Sequence, residues 1–285
     1  MSFTTLMSAS ELAEILSSPS LVLLDCRSDL LDPEAGAAAF ALSHIPVAQH
    51  ADLDTDLSDK TPGPHGEFRG RHPLPTKEVF IQTLRKWGVN QNSQVVVYDA
   101  HGGMFAARLW WMLRWVGHKN VALLDGGLQA WQEMDGTLTS RLITPTTGNI
   151  TLSYSLVKTV DVNDIVTNLT THAYDILDAR AADRFRGENE TIDPVAGHIP
   201  GAKNRWFKEN LTANGVFKSA DLLRQELSQL IKTPATTIMQ CGSGASACVN
   251  LLAMEIAGLE GAALYPGSWS EWSADPTRPI ATGNA

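Results

Sequence analysis

The stretch MQCGSGASACVN at 239–250 sets a cysteine at the end of a short apolar run and follows it with Gly-Ser-Gly before a helical pattern begins. A strand that delivers Cys241 to the carboxyl edge of a sheet puts it where open α/β folds bind their ligands. Gly242 and Gly244 let the backbone fold tightly around the sulfur. The backbone amides of Gly242, Gly244, Ala245 and Ser246, with the positive end of a helix starting near Ala245, are then expected to face it. Such surroundings favour the thiolate, the form that attacks. Taken alone, the stretch leaves two readings open: a reactive nucleophile, or a buried small hydrophobe, as most free cysteines are.

The whole chain narrows the choice. Its 285 residues suffice for two domains, and 44% hydrophobic with 19% charged residues is the composition of an ordinary globular protein. The net charge of −9 is spread without acidic or basic blocks, so neither nucleic acid nor a membrane surface is an expected partner. The start, MSFTTLMSASELAEIL, has no basic segment and no long apolar core, and reads as mature sequence. Arg108 and Arg114 interrupt the most apolar segment, RLWWMLRWVG, which argues against a membrane span. Three cysteines, Cys26, Cys241 and Cys248, with no CxxC pair, argue against a disulfide scaffold or a structural metal site and suit the reducing cytoplasm.

Several marks occur twice. LLDCR at 23–27 returns as ILDAR at 176–180, and SHIPVA at 43–48 returns as GHIPGA at 197–202. VVVYD, ending at Asp99, matches TIMQC, ending at Cys241; LLDGGLQAW, ending at Trp131, matches LYPGSWSEW, ending at Trp272. The separation between partners shortens after the HIP marks, so the first copy carries an insertion, placed mostly in DKTPGPHGEFRGRHPLP. Short runs such as LVLLD, QVVVYD, VALLD, DILDA, TTIMQ and AALY read as strands. Between them, Phe105, Leu109, Met112, Leu113 and Val116 fall at helical spacing, as do Cys248, Leu251, Leu252, Ile256 and Leu259. Alternating β and α elements predict an α/β fold in which each half is a parallel sheet with helices on both faces. The expected division is 1–138, a linker at 139–155 rich in Thr, Ser, Pro and Gly, and 156–285.

Taken together, LLDCR with SHIP, LLDGGLQAW, ILDAR with RFRG, GHIPGAKN, CGSGASA and YPGSWSEW resemble the tandem-domain rhodanese-type sulfurtransferases, which act on thiosulfate or 3-mercaptopyruvate. The resemblance runs over almost the entire chain and implies two tandem rhodanese-like domains. It also implies that the first is silent, because Asp99 stands where Cys241 stands in the second and a carboxylate forms no persulfide. The implied mechanism is a two-step relay: Cys241 takes the donor's outer sulfur as a persulfide, expelling pyruvate or sulfite, and a thiol or cyanide then removes it. No metal or organic cofactor is required. The acceptor is a small molecule or a thiol protein.

By the same resemblance, the CGSGxx loop belongs to the mercaptopyruvate branch, because thiosulfate enzymes carry basic residues directly after the cysteine. That branch pairs the serine, here Ser243, with a histidine and an aspartate of the first domain in a protease-like triad. HIPVAQHAD matches the aspartate to Asp52 and RHPLP matches the histidine to His72, with His65 as a fallback. Arg184 in RFRG matches the arginine that holds the donor's carboxylate or sulfonate, a role suited to a guanidinium. Its plainer reading is an ion pair with Asp183 or Glu188. The mercaptopyruvate branch has a second arginine where this chain has Asp193, with Arg186 or Lys203 as candidates to compensate. Mercaptopyruvate is favoured as donor, with thiosulfate the alternative.

Structural roles are expected for Cys26, Cys248, His44, His198, Asp25 and Asp178, the last four because they recur in both halves. The tryptophan-rich stretches read as packing surfaces, with Trp206 and Trp269 as candidates to line a cleft. Phosphatase chemistry, which related folds perform with an arginine six positions after the cysteine, is disfavoured by Ala247. A non-catalytic binding protein is the remaining class, and the retention of Cys241 and Arg184 argues against it.

Overall fold

The computed structural model describes residues 2–284. It divides into two compact units. The first gathers the chain through Asp59, then Pro75–Leu156 and Ala213–Phe217; the second gathers Lys60–Leu74, Val157–Thr212 and Lys218 onward.

In the first unit, β1 (Leu6–Met7), β2 (Leu21–Asp25), β3 (Ala48–His50), β4 (Gln94–Tyr98) and β5 (Val121–Leu124) form a parallel sheet in the order β1-β5-β4-β2-β3. Residues Leu21–Asp25 and Gln94–Tyr98 are almost wholly apolar and buried along their length. Both faces of a parallel sheet are covered, so its strands lack the polar alternation of an exposed sheet. The crossovers are α1 (Ala9–Ile15), α2 (Ala35–Leu42), α3 (Lys77–Lys86), α4 (Ala106–Trp115) and α5 (Gly127–Glu133). Ser8 starts α1 with a capping box to Glu11, and Thr76 caps α3 by accepting from Val79 N–H.

The second unit repeats the plan with β6 (Lys158–Thr159), β7 (Asp175–Asp178), β8 (Lys203–Asn204), β9 (Thr237–Gln240) and β10 (Ala263–Leu264), in the order β6-β10-β9-β7-β8. All its pairings are parallel, with Leu177 beside Met239 and Met239 beside Leu264. Its helices are α6 (Val162–Thr171), α7 (Ala182–Arg186), α8 (Ala220–Ser228), α9 (Ala247–Ile256) and α10 (Ser268–Trp272). The expected pair of parallel α/β sheets is what the chain forms.

The recurring marks make recurring contacts. Asp25 accepts a forked pair of hydrogen bonds from Arg27, whose Nη2 also donates to the Ser43 carbonyl at 2.7 Å. Asp178 and Arg180 do the same, with Arg180 Nη2 donating to the Gly197 carbonyl at 2.7 Å. His44 stacks on Phe40 and bonds its carbonyl; His198 stacks on Phe185 and bonds that carbonyl. Each pair ties the strand end to the HIP turn that follows, and a buried ion pair of this kind fixes one arrangement in preference to many.

The helices differ from single apolar stripes. Ala106–Leu113 and Ala247–Met254 are buried all round, whereas Ile256 is half-buried and Leu259 lies beyond the end of α9. Helix α9 packs on β9, β10, α8 and the 3-10 turn Phe207–Asn210, which leaves its first turns no solvent face. Trp110, Trp111, Trp269 and Trp272 are fully buried, so Trp269 is core and its Nε1 donates to the Val195 carbonyl at 2.9 Å.

Two further segments have fixed partners. The 139–156 stretch runs along the first unit, through Gly148 N–H to the Arg85 carbonyl and Ser153 N–H to the Val116 carbonyl. The 60–74 stretch, in the sequence part of the first half, groups with the second unit. No helix among the described residues is long and apolar enough to cross a membrane.

Candidate active site

Strand β9 ends at Gln240 and hands the chain to Cys241, whose amide donates to Ser268 Oγ at 3.1 Å. The Cys241 and Gly242 carbonyls accept from Trp269 and Ser270 N–H. Ser268 holds the non-glycine left-handed conformation, φ 54°, and its hydroxyl donates to the Tyr265 carbonyl. The turn into α10 therefore grips the loop from one side.

The loop curls back at Gly244, φ +79°, where a Cβ would meet the Pro266 carbonyl oxygen at 2.4 Å. This curl aims the Gly244 N–H at Cys241 Sγ, 3.1 Å away. The amides of Ser243, Ala245 and Ala247 meet no protein acceptor among the described residues, although all three residues are buried. Helix α9 begins at Ala247, not at Ala245, with Ser246 as its cap position.

The first unit shows what such a loop does with an anion. Asp99 Oδ1 accepts from His101 and Gly103 N–H at 2.8 and 3.0 Å, and Oδ2 from Phe105 and Ala106 N–H at 2.9 and 3.0 Å. A buried carboxylate thus fills this cradle with four charge-assisted hydrogen bonds. His101, Gly103 and Phe105 correspond in the repeat to Ser243, Ala245 and Ala247, whose amides are open. Cys241 consequently heads a loop that can accept negative charge; Asp99 heads one already satisfied.

His72 reaches the same loop: its Nδ1 lies 2.7 Å from Ser243 Oγ, and both residues are buried. The segment that carries it is anchored one residue earlier, where Arg71 N–H donates to Ser270 Oγ at 3.1 Å. His65 lies in an exposed turn, where its amide donates to Glu67 Oε2. Asp52 belongs to the first unit, where its Oδ1 accepts from the Asp54 and Thr55 amides and the Thr55 hydroxyl.

Arg184 makes neither of the ion pairs offered as its plainer reading. Its Nε and Nη2 engage Glu190, the latter at 2.8 Å, and Nη2 also reaches Asp193 Oδ2 at 3.3 Å. Neither candidate for compensation is at the loop: Arg186 pairs with Glu188, and Lys203 pairs with Asp175. The cation that sequence reasoning missed is Arg71. Its Nη1 forms an ion pair with Asp193 Oδ1, and its Nη2 lies 2.9 Å from where a Cβ on Gly242 would stand. Burial holds the Arg71 guanidinium below its ordinary range, opposed by the negative charge of Cys241. Arg71 opens the RHPLP match, which marked only His72, because a pair 122 residues apart leaves no local spacing to read.

Cys248 is fully buried, with Sγ directed at the Gly244 carbonyl at 3.4 Å, and burial pushes the Cys26 thiol well up. Among the described residues no group of three or more His, Cys, Asp or Glu side chains is placed to hold a metal ion.

The rhodanese-like domain model matches residues 8–134 and again 161–275. A probable 3-mercaptopyruvate sulfurtransferase of Pseudomonas aeruginosa is 45% identical over 287 residues, covering 100% of both chains. A putative thiosulfate sulfurtransferase of Mycobacterium tuberculosis is 39% identical over 98% of each chain. The crystal structure of SseA from Escherichia coli, described as a 3-mercaptopyruvate sulfotransferase, aligns with a TM-score of 0.81 at 33% identity, over 94% of this chain and 100% of that one. The chain belongs to the rhodanese family and is a tandem-domain sulfurtransferase.

Proposed function

We propose that the chain moves the sulfur of 3-mercaptopyruvate, in preference to that of thiosulfate, to a thiol or cyanide through a persulfide on Cys241. The observation that carries this reading is the Gly244 N–H aimed at Cys241 Sγ, in a loop whose Ser243, Ala245 and Ala247 amides are open where the matching amides of the Asp99 loop are filled. Amides that stabilise a thiolate also stabilise a persulfide anion.

In the first step the Cys241 thiolate attacks the donor sulfur. An S–S bond forms, the donor's C–S bond breaks, and its electron pair passes to carbon as the enolate of pyruvate. The enolate takes a proton, supplied in this reading by the Ser243 hydroxyl backed by His72 at 2.7 Å. We assign Asp52 to orient His72 on the family resemblance alone. In the second step the acceptor attacks the outer sulfur and restores the Cys241 thiolate. Arg184 holds the donor carboxylate, and the amides of Gly242, Gly244, Ala245 and Ser246 surround the sulfur. Asp99 keeps the 1–138 half silent while 156–285 carries the sulfur. Three buried free cysteines suit a reducing compartment, and we place the enzyme in the cytoplasm.

Two features favour mercaptopyruvate. No basic residue occupies Gly242–Ala247, and Ser243 with His72 offers a proton that expulsion of an enolate needs and expulsion of sulfite does not. The test is initial rates of pyruvate release and of thiocyanate formation with each donor. A higher kcat/KM for 3-mercaptopyruvate is expected; a higher value for thiosulfate reverses the donor assignment.

A further inference from the structure

Two guanidinium groups share one buried carboxylate beside the Cys241 loop. Asp193, 1% exposed at its side chain, gives Oδ1 to Arg71 Nη1 and Oδ2 to Arg184 Nη2. Glu190, 2% exposed, takes the rest of Arg184's inner edge and accepts the Ile192 and Asp193 amides, which fixes the turn carrying Asp193. Both arginines remain partly open, at 23% and 18% side-chain exposure.

Asp193 takes Nη1 of Arg71, and Glu190 with Asp193 takes Nε and Nη2 of Arg184, so the open donor beside the loop is Nη2 of Arg71. Nη2 of Arg71 makes no hydrogen bond among the described residues and lies nearest to Gly242, followed by Nη2 of Arg184 at 3.7 Å from the same added Cβ. The cluster thus presents the open Nη2 of Arg71 at the residue next to the nucleophile. It does so only because Gly242 has no side chain.

Charge bookkeeping then separates donors. Arg71, Arg180 and Arg184 face Asp178, Glu190 and Asp193 in one connected network, with a formal sum of zero. The open Nη2 of Arg71 in this network suits a planar monoanionic carboxylate, held by charge-assisted hydrogen bonds. A network that sums to zero offsets no added charge, so a dianion leaves twice the uncompensated charge of a monoanion, in surroundings where solvent screens poorly.

We propose that Arg71, aimed at Gly242 by Asp193, is a second donor-binding arginine beside Arg184, and that the balanced cluster selects a monoanionic 2-oxo-carboxylate over a dianionic donor. Asp193 is the tether that orients Arg71 and the counter-charge that sets the preference. This rests on Cys241 being the sulfur-accepting nucleophile.

The test is calorimetric titration of the full-length Cys241→Ser protein, which binds without reacting, with pyruvate as the monoanion and thiosulfate as the dianion. Arg71→Ala in that protein is expected to weaken pyruvate binding about tenfold or more, the worth of a charge-assisted hydrogen bond, with Arg71→Lys intermediate. Asp193→Asn is expected to shift relative affinity about fivefold or more toward thiosulfate, since it leaves one positive charge uncompensated. In the active enzyme, Arg71→Ala is expected to raise KM for 3-mercaptopyruvate and leave KM for the acceptor thiol unchanged. If Arg71→Ala alone fails to fold, Arg71→Met combined with Asp193→Asn removes the pair together and leaves no stranded carboxylate. Pyruvate affinity unchanged in the Arg71 variants, or an equal loss for both anions in Asp193→Asn, overturns the proposal. Should the parent enzyme form no persulfide while Arg71→Ala still loses pyruvate, the sulfur-relay reading fails and the arginine assignment stands.

Discussion

His72 Nδ1 stands 2.7 Å from Ser243 Oγ, across 171 residues of chain. The serine is two residues past the nucleophile, so the pair brings a proton carrier to the loop that holds the sulfur. Replacing Ser243 with Ala or His72 with Gln should lower kcat for 3-mercaptopyruvate by about 10²-fold, the usual worth of one positioned acid–base group. Steady-state pyruvate release measures this. A change below threefold in both variants removes the pair from the proton transfer.

The Asp99 cradle makes a stability prediction. Asp99→Ala strands the buried amides of Gly103, Phe105 and Ala106 and releases that of exposed His101, and the expected cost is roughly 3 kcal/mol or more. Asp99→Asn, which keeps one carbonyl acceptor, should lose about half of that. Denaturant unfolding of both variants gives the comparison, and an Asp99→Ala protein as stable as the parent would show that the cradle does not support the first unit.

Two glycines of the loop should fail differently. Gly244→Ala forces a Cβ to 2.4 Å from the Pro266 carbonyl at φ +79°, with an expected cost of about 1–3 kcal/mol in stability. Gly242→Ala meets the Arg71 guanidinium at 2.9 Å, the far end of a flexible side chain. It should instead raise KM for the donor, with Tm close to that of the parent. Thermal unfolding and donor titration on the two proteins separate these outcomes.

Burial holds His118 and His198 below the usual imidazole value of 6.5. The unfolded chain then binds more protons, so their contribution to stability is present above about pH 6.5 and is lost as pH falls through the folded values. Half-buried Asp56 and Asp125, raised from 3.8 by partial burial, act with the opposite sign at lower pH. The fall in Tm between pH 7.5 and 5.5 should therefore be smaller in His118→Gln than in the parent. An identical fall in both proteins would exclude His118 as a source of the pH dependence.

The repeat was legible because both halves solve the same local problem with the same residues. Asp25 with Arg27 and Asp178 with Arg180 are two positions apart, so that part of the pattern is written in short spacings, and the HIP histidines bond phenylalanine carbonyls 4 and 13 positions back. The Cys241 loop was legible for the same reason: strand, glycines and helix are contiguous. Arg71 was not. Its ion pair with Asp193 and its amide bond to Ser270 join residues far apart in the chain, and the insertion carrying it has no counterpart in the second half. Asp193 stands where the resemblance implies a cation, and the cation it pairs with, Arg71, lies 122 residues away in the chain. The helix stripes on α4 and α9 were too narrow an expectation, because neighbours cover those helices on every side over their first turns.

The persulfide itself is the most direct test. Intact-protein mass spectrometry after incubation with 3-mercaptopyruvate and no acceptor should show the mass of one added sulfur, removed by a subsequent thiol and absent in Cys241→Ser. No added sulfur on the parent protein, or added sulfur on the Cys241→Ser variant, would contradict the account.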